Sequence, residues 1–411
     1  MSSFHNYMKI LQLCKKFPYP LKDGESIAVT YQSKAFHEFG CEITLLAMNT
    51  TKHYTEIGKL PNDFNHYKEI HVTDIDNRVK VLEAFANLFS SKSYHISRFD
   101  SKEYNDKLIE LLQDNEYDVI QLETLYLTPY IETIKQHSNA IVSMRSHNVE
   151  FEIWERISAN TKFLLKKWYL KHLTKKLKNF ELTHINDYDY LVAVTDRDLQ
   201  KFKKLGYKNG AMASPIGLQV DRYVENTTPL QGKDISFIGS MDWLPNIEGL
   251  EWFLKEVWTI FSKQNSEVKF HIAGRNTPKW ITNLDLDNVV VHGEVPDALK
   301  FMQKYPIMVV PLFSGSGMRV KILEGLALGR VVVSTTVGKE GIEANHGEQI
   351  FVADTAMEFV AVLTDCMKDL PLMQTVADNA VTLIKDKYDH KVNARNLLEK
   401  YKSILLSDAD G

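Results

Sequence analysis

From Pro311 to Arg330 the sequence runs PLFSGSGMRVKILEGLALGR. The apolar run Ile307 to Val310 ahead of it reads as a buried strand. Gly315, Ser316 and Gly317 form a permissive turn whose backbone N–H groups can face a ligand, and Ser314 leads into it. From about Met318 the spacing becomes helical, with Val320, Leu323, Ala327 and Leu328 on one side. Arg319 and Lys321 then fall in the first turn, close together and near the positive end of the helix dipole. That placement is unfavourable alone and sensible with an anion bound. Arginine offers a planar fork and lysine a compact charge, a pair suited to a diphosphate. Glu324, one turn beyond Val320, supplies a carboxylate for ligand hydroxyls. The plainer reading is a strand-to-helix connection with surface charges, but a glycine turn, two cations and a carboxylate together favour a phosphate site.

A second group lies in the first half. A predicted strand, Ala140 to Met144, runs into Arg145-Ser-His-Asn-Val-Glu150. Polar side chains at the carboxyl end of a strand are where α/β sheets bind ligands, and His147 is the most versatile of them. A structural histidine in a polar loop is the alternative. The strand Tyr117 to Glu123 ends on a carboxylate. The loop Lys16 to Ser26 leads to a predicted helix, Ile27 to Phe39, with Gly24 and Ser26 at its start; a simple Ser cap would explain the same residues.

Gly-Ser-Gly-Met-Arg-Val-Lys-Ile-Leu-Glu, followed by Ala-Leu-Gly and Val-Val-Val-Ser-Thr, resembles the donor-binding segment of retaining GT-B glycosyltransferases of family 4, also called glycosyl transferases group 1. The resemblance is closest to bacterial polysaccharide and exopolysaccharide sugar transferases with Gly-Ser-Gly-x-Arg-x-Lys. It spans nearly the whole chain, is strongest from Asp234 to Val352, and includes Phe-Ile-Gly-Ser-Met-Asp-Trp-Leu-Pro-Asn and Ile-Ala-Gly-Arg. It implies a nucleotide-diphosphate sugar as donor, with no separate cofactor and no metal. Gly239, Asn246, Arg275, Ser314, Gly315, Ser316, Gly317, Met318 and Glu324 would bind that donor. Arg319 and Lys321 would stabilise the leaving diphosphate and His147 would contact the sugar. Gly24, Ser26, Glu123 and Asn148 would lie on the acceptor side. Of the family's two glutamates seven residues apart, the second matches Glu324 and the first falls on Ser316, a departure from the commoner pattern. Members often carry a phosphate-binding Arg or Lys early in the second half, where this chain has Asp242, Trp243 and Asn246. The resemblance further implies retention of configuration and a glycan or lipid-linked acceptor in cell-surface polysaccharide biosynthesis.

Other chemistries make related demands on sequence. A metal-dependent GT-A enzyme needs an Asp-x-Asp; the strings at 74–76, 187–189, 196–198, 285–287 and 408–410 do not clearly follow a strand of one early nucleotide domain. A GT-B sugar-nucleotide epimerase would use the same phosphate cradle, and a degenerate transferase would only bind.

These residues require sheets to position them. The 411-residue chain suggests two domains, and its net charge of −4 gives no reason to expect nucleic acid. Cys14, Cys41 and Cys366 lack disulfide or metal-ligand spacing, as in a reducing cytoplasm. There is no apolar leader and no run near the ~18 residues needed to span a bilayer. Strand-helix alternation predicts α/β architecture with doubly wound parallel sheets. Residues 1–215 are expected as an acceptor domain, 216–232 as linker, 233–388 as the donor domain and 389–411 as a helix crossing back to the first. One segment, 162–180, is a lysine-rich amphipathic helix, with Leu165, Trp168, Leu173 and Leu177 near one face. It reads either as a core-facing helix with a solvated lysine side or as a peripheral contact with an anionic membrane. The expected location is therefore the cytoplasm, with the inner membrane face as the second option.

Overall fold

The computed structural model describes residues 7–21, 23–51, 53–80, 87–90, 92–225, 227–314 and 317–409. The chain divides into two units, Met1–Gly217 with His390–Gly411, and Leu218–Asp389.

The first unit contains β1 (Lys9–Cys14), β2 (Glu42–Thr50), β3 (Glu69–Ile75), β4 (Val119–Leu122), β5 (Ile141–Ser146), β6 (Tyr190–Ala193) and β7 (Gly210–Ala213). They lie in the order β3-β2-β1-β4-β5-β6-β7, every pair parallel. The central strands are short and buried on both faces, which explains why they read as continuous apolar runs. The winding reverses between β1 and β4, the kind of position at which α/β sheets bind ligands, outside the carboxyl ends of the strands.

Helix α1 (Gly24–Glu38) is capped by Asp23, whose side chain accepts from the Ser26 N–H; Ser26 is not the cap. Helix α2 (Glu150–Asn160) was not anticipated, and α3 (Leu164–Thr183) replaces the predicted 162–180 helix. The buried face of α3 is Leu170, Leu173, Thr174 and Leu177, a spacing of i, i+3, i+4, i+7. Leu165 and Trp168, expected beside Leu173, instead lie in solvent, because the packed side of the helix is the one that sets Leu173 against Tyr94 and Leu177 into the first unit's apolar core. The expected helix near 77–89 falls largely on 81–86, outside the described residues.

The second unit contains β8 (Ile235–Ile238), β9 (Phe270–Ala273), β10 (Val289–Gly293), β11 (Ile307–Val310), β12 (Val331–Ser334) and β13 (Phe351–Val352). Their order is β10-β9-β8-β11-β12-β13, all parallel, with the reversal between β8 and β11. Helix α4 (Leu244–Trp252) begins three residues before the expected Ile247, since a proline is tolerated in the first turn. Gly249 lets α4 lie against the loop leaving β11: a Cβ there would sit 1.9 Å from the Pro311 carbonyl oxygen. Helix α5 (Val320–Ala327) follows that loop. Within 216–232, read above as a linker, Leu218 donates its N–H to the Tyr388 carbonyl at 2.7 Å, and Leu230 joins the second unit's apolar core.

Helix α6 (His390–Ala409) returns the chain to the first unit. Ala394, Leu397, Leu398 and Tyr401 share a buried cluster with Val29, Ala35 and Phe36 of α1. Both sheets are thus doubly wound, and the crossing helix is as expected.

Candidate functional site

In the second unit, the expected diphosphate residues collect where the winding reverses. Arg319 has extended backbone angles and is the N-cap of α5 rather than part of its first turn, so Lys321 is the cation inside the helix. The Arg319 side chain is buried. Its Nη1 donates to the Gly317 carbonyl, and the guanidinium lies 5.4 Å above the Trp243 ring. Gly317 adopts φ +76°, a left-handed turn suited to glycine. Gly315 and Ser316 lie outside the described residues. Met318 is buried.

Half-buried Lys321 donates from Nζ to Asn246 Oδ1 at 2.8 Å and to the Ile238 carbonyl at 3.3 Å. It thereby ties α5, which follows β11, to the end of β8. Among the described residues no carboxylate lies within ion-pair distance of it. Burial and the neighbouring Arg319 charge push its ammonium down to about 7. Asn246, expected in a loop, is in the first turn of α4, and its Nδ2 donates to the Ser240 carbonyl at 2.8 Å. A Cβ on Gly239 would lie 2.8 Å from Asn246 Nδ2, so any side chain there would displace the Asn246 amide that holds Lys321. Arg275 donates from Nε to Ser240 Oγ at 2.8 Å and has Asp242 at 4.0 Å. Ser314 reaches Glu248 at 3.4 Å. Glu324 accepts from the Tyr223 hydroxyl at 3.0 Å; burial raises its carboxyl to about 7 against the opposing pull of Tyr223 and Arg222. A fixed cation held by neutral acceptors beside a second cation is a ready receptor for a polyanion.

In the first unit Glu123, expected as a polar strand exit, is fully buried. Its Oε1 accepts from Gln12 at 2.6 Å and Gln121 at 2.5 Å. Its Oε2 lies 3.3 Å from both Arg145 Nη1 and His147 Nε2. Burial would raise this carboxyl, but Arg145, His147 and Gln121 outweigh it and hold it at about 2. Arg145, expected in the loop, is instead within β5 and buried, and also donates to the Ala28 carbonyl at 3.2 Å. Asn148 accepts the Ser146 hydroxyl through its backbone oxygen at 2.7 Å. The network continues through Tyr67 on Gln12 (2.8 Å), Gln32 on Gln121 (2.7 Å) and Tyr401 of α6 on Gln121 (3.1 Å).

Gly24 opens α1 beside charges the sequence reading missed. Lys16 pairs with Asp23 at 2.6 Å and Lys15 with Glu25 at 3.4 Å. Burial would raise Glu25, yet Lys15, Lys16 and His147 keep it low, so this carboxylate and His147 share one neighbourhood. Glu181 accepts the N–H groups of Glu150 and Phe151 at 3.1 and 3.0 Å at the start of α2; burial, reinforced by Glu150, pushes it up to about 8. The signal for this network was present: Gln12 and Gln121 interrupt otherwise apolar strands, and a buried polar group requires partners.

Residues 232–369 match the family described as glycosyl transferases group 1. The group 1 match thus covers the second unit from before β8 to beyond β13, all six strands of its sheet. A relative from Klebsiella pneumoniae, described as an uncharacterized 44.6 kDa protein in the cps region, is 23% identical over 69% of this chain and 74% of its own length. Among solved structures, Anabaena HepE in complex with UDP-glucose aligns with TM-score 0.62 at 14% identity, over 97% of this chain and 100% of that one. Sucrose-phosphate synthase from Thermosynechococcus elongatus aligns with TM-score 0.70 at 14% identity, over 97% and 100%. A glycosyltransferase from Rickettsia africae gives TM-score 0.66 at 16%, over 98% and 99%. At such identities these three likenesses speak to the fold: two Rossmann-like parallel-sheet domains of the GT-B kind. No described helix is long and apolar enough to cross a membrane.

Proposed function

We propose that the chain is a retaining glycosyltransferase that moves a sugar from a nucleoside-diphosphate sugar to a hydroxyl of a glycan or lipid-linked acceptor, in the assembly of a cell-surface polysaccharide. The observation that carries this reading is the half-buried Lys321 ammonium, fixed by Asn246 and the Ile238 carbonyl, with no carboxylate partner among the described residues and next to Arg319. As the donor's glycosidic bond breaks, negative charge grows on the β-phosphate. Lys321 and Arg319 would stabilise that charge, together with the N–H groups around Gly317 at the start of α5. Glu324 would hold the ribose hydroxyls. Arg275, Gly239, Asn246, Ser314 and Met318 would shape the donor pocket. His147, oriented by Glu123, would contact the transferred sugar, while Gly24, Ser26 and Asn148 would belong to the acceptor side. Retention calls for attack on the same face that the leaving group departs from. The group 1 match of the second unit, the UDP-glucose complex of HepE and the cps-region relative all support this reading.

The test is incubation with a panel of UDP- and GDP-sugars, with and without acceptor, in the presence of a metal chelator. Transfer or donor hydrolysis, lowered about 100-fold or more in Lys321→Ala and Arg319→Ala with the fold retained, supports the proposal. Wild-type turnover in both variants removes it. An isomerised donor would identify an epimerase, and binding without turnover a non-catalytic module.

A further inference from the structure

Helices α2 and α3 carry a surface that the donor chemistry leaves unused. Residues 156–180 contain Arg156 and seven lysines and no Asp or Glu, in a chain whose net charge is −4. At the start of α3, Phe163, Leu164, Leu165 and Trp168 are between 62% and 79% exposed. Four large apolar side chains side by side in water are costly unless something covers them. Leu164, Trp168, Lys171 and Lys175 recur at i, i+4, i+7 and i+11, one stripe of the helix roughly 16 Å long. Its first half is apolar and its second half cationic. Lys178 is neutralised by Glu155 at 2.9 Å, Lys167 donates to the Ala159 carbonyl at 2.9 Å, and Lys176 donates to the Asn87 carbonyl. Lys171 and Lys175 have neither an ion pair nor a hydrogen bond among the described residues, and with Lys167 and Lys178 they line a cleft of about 480 Å³ against Glu155 and Ser158.

We infer that this surface docks on an anionic phospholipid bilayer. Phe163, Leu164, Leu165 and Trp168 enter the headgroup–acyl boundary, and Lys171 and Lys175 pair with lipid phosphates at the mouth of the cleft. Charge complementarity selects this occupant. A second copy of the chain would oppose lysines to lysines, and a nucleic acid would leave the four apolar side chains uncovered. A surface helix with an apolar patch beside a lysine face binds at a membrane interface by these two contributions together.

The full chain is tested by co-sedimentation with vesicles of phosphatidylcholine alone and of phosphatidylcholine with phosphatidylglycerol, at low and high salt. The expected result is sedimentation with the anionic vesicles only, weakened by salt. It is reduced at least about tenfold in Lys171→Glu/Lys175→Glu and in Leu164→Ser/Leu165→Ser/Trp168→Ser, with unchanged circular dichroism. Tryptophan emission should shift to the blue on anionic vesicles in the wild type and lose that shift in Trp168→Phe, a change mild enough to keep the helix folded. Equal binding to both vesicles, or wild-type binding by both multiple variants, overturns the inference. Self-association that the apolar variant abolishes assigns the patch to a second copy. Displacement from anionic vesicles by inorganic phosphate at the same phosphate concentration assigns the cleft to a soluble anion. Either result also overturns it.

Discussion

At the scale of single residues, Lys321 and Glu324 are held near neutrality by burial, each in its own way. The ammonium form of Lys321 is the one a diphosphate needs. With its ammonium pushed down to about 7, that form is lost as pH rises through 7, and donor binding should weaken on that side. The carboxylate form of Glu324 suits ribose hydroxyls; with its carboxyl raised to about 7, it is lost as pH falls through 7. A plot of kcat/KM against pH should therefore be a narrow bell centred near 7, and Glu324→Gln should flatten its acid limb only. Donor binding should also raise the Lys321 pKa, so UDP binding between pH 7 and 8 takes up a proton, visible as a calorimetric enthalpy that changes with the buffer. Glu123 behaves oppositely. Its folded value of about 2 lies below its ordinary 4.5, so its stabilising effect is complete above 4.5 and fades as pH falls toward 2. Glu123→Leu leaves Arg145 buried without its carboxylate and should cost about 3–5 kcal/mol in urea unfolding.

Among elements, the geometry around the phosphate residues depends on α4 lying hard against the loop after β11. Gly249→Ala would push a methyl into the Pro311 carbonyl, costing about 1–3 kcal/mol and shifting the loop that carries Gly317 and Arg319. The check is a lower melting temperature together with weakened UDP binding. The strands around this loop were legible because buried parallel strands are short apolar runs between polar loops; Ile307 to Val310 was read residue for residue. Helix faces were harder to read. Leu165 and Trp168 fit the same amphipathic template as Leu173 and Leu177, and only the tertiary packing, with Leu173 on Tyr94 and Leu177 in the core, reveals that 170–177 is the buried side. The start of α5 moved two residues because Arg319 turns back onto Gly317 and Trp243, a tertiary preference that helical spacing does not carry. His147 could be singled out from sequence, but its partner Glu123 follows β4, and the Gln12 and Arg145 that hold Glu123 come from β1 and β5. They converge only once the strand order β1-β4-β5 exists.

For the molecule as a whole, the decisive feature is that α6 belongs to the unit the chain left at Gly217. Tyr401 is buried there, with its hydroxyl 2.7 Å from Ser143 Oγ and 3.1 Å from Gln121 Oε1. Tyr401→Phe should cost about 1 kcal/mol, and deletion of 390–411 should unfold the first unit while the cooperative transition of the second survives in calorimetry. The same arrangement has a consequence during synthesis. The part of the first unit that precedes Gly217 cannot seal its own interior until α6, about 170 residues later in the chain, has been translated. At ordinary elongation rates that interval is on the order of ten seconds or more. Throughout it, the apolar side of α1 awaits a partner still encoded downstream, so this stretch of the nascent chain is where a chaperone should bind.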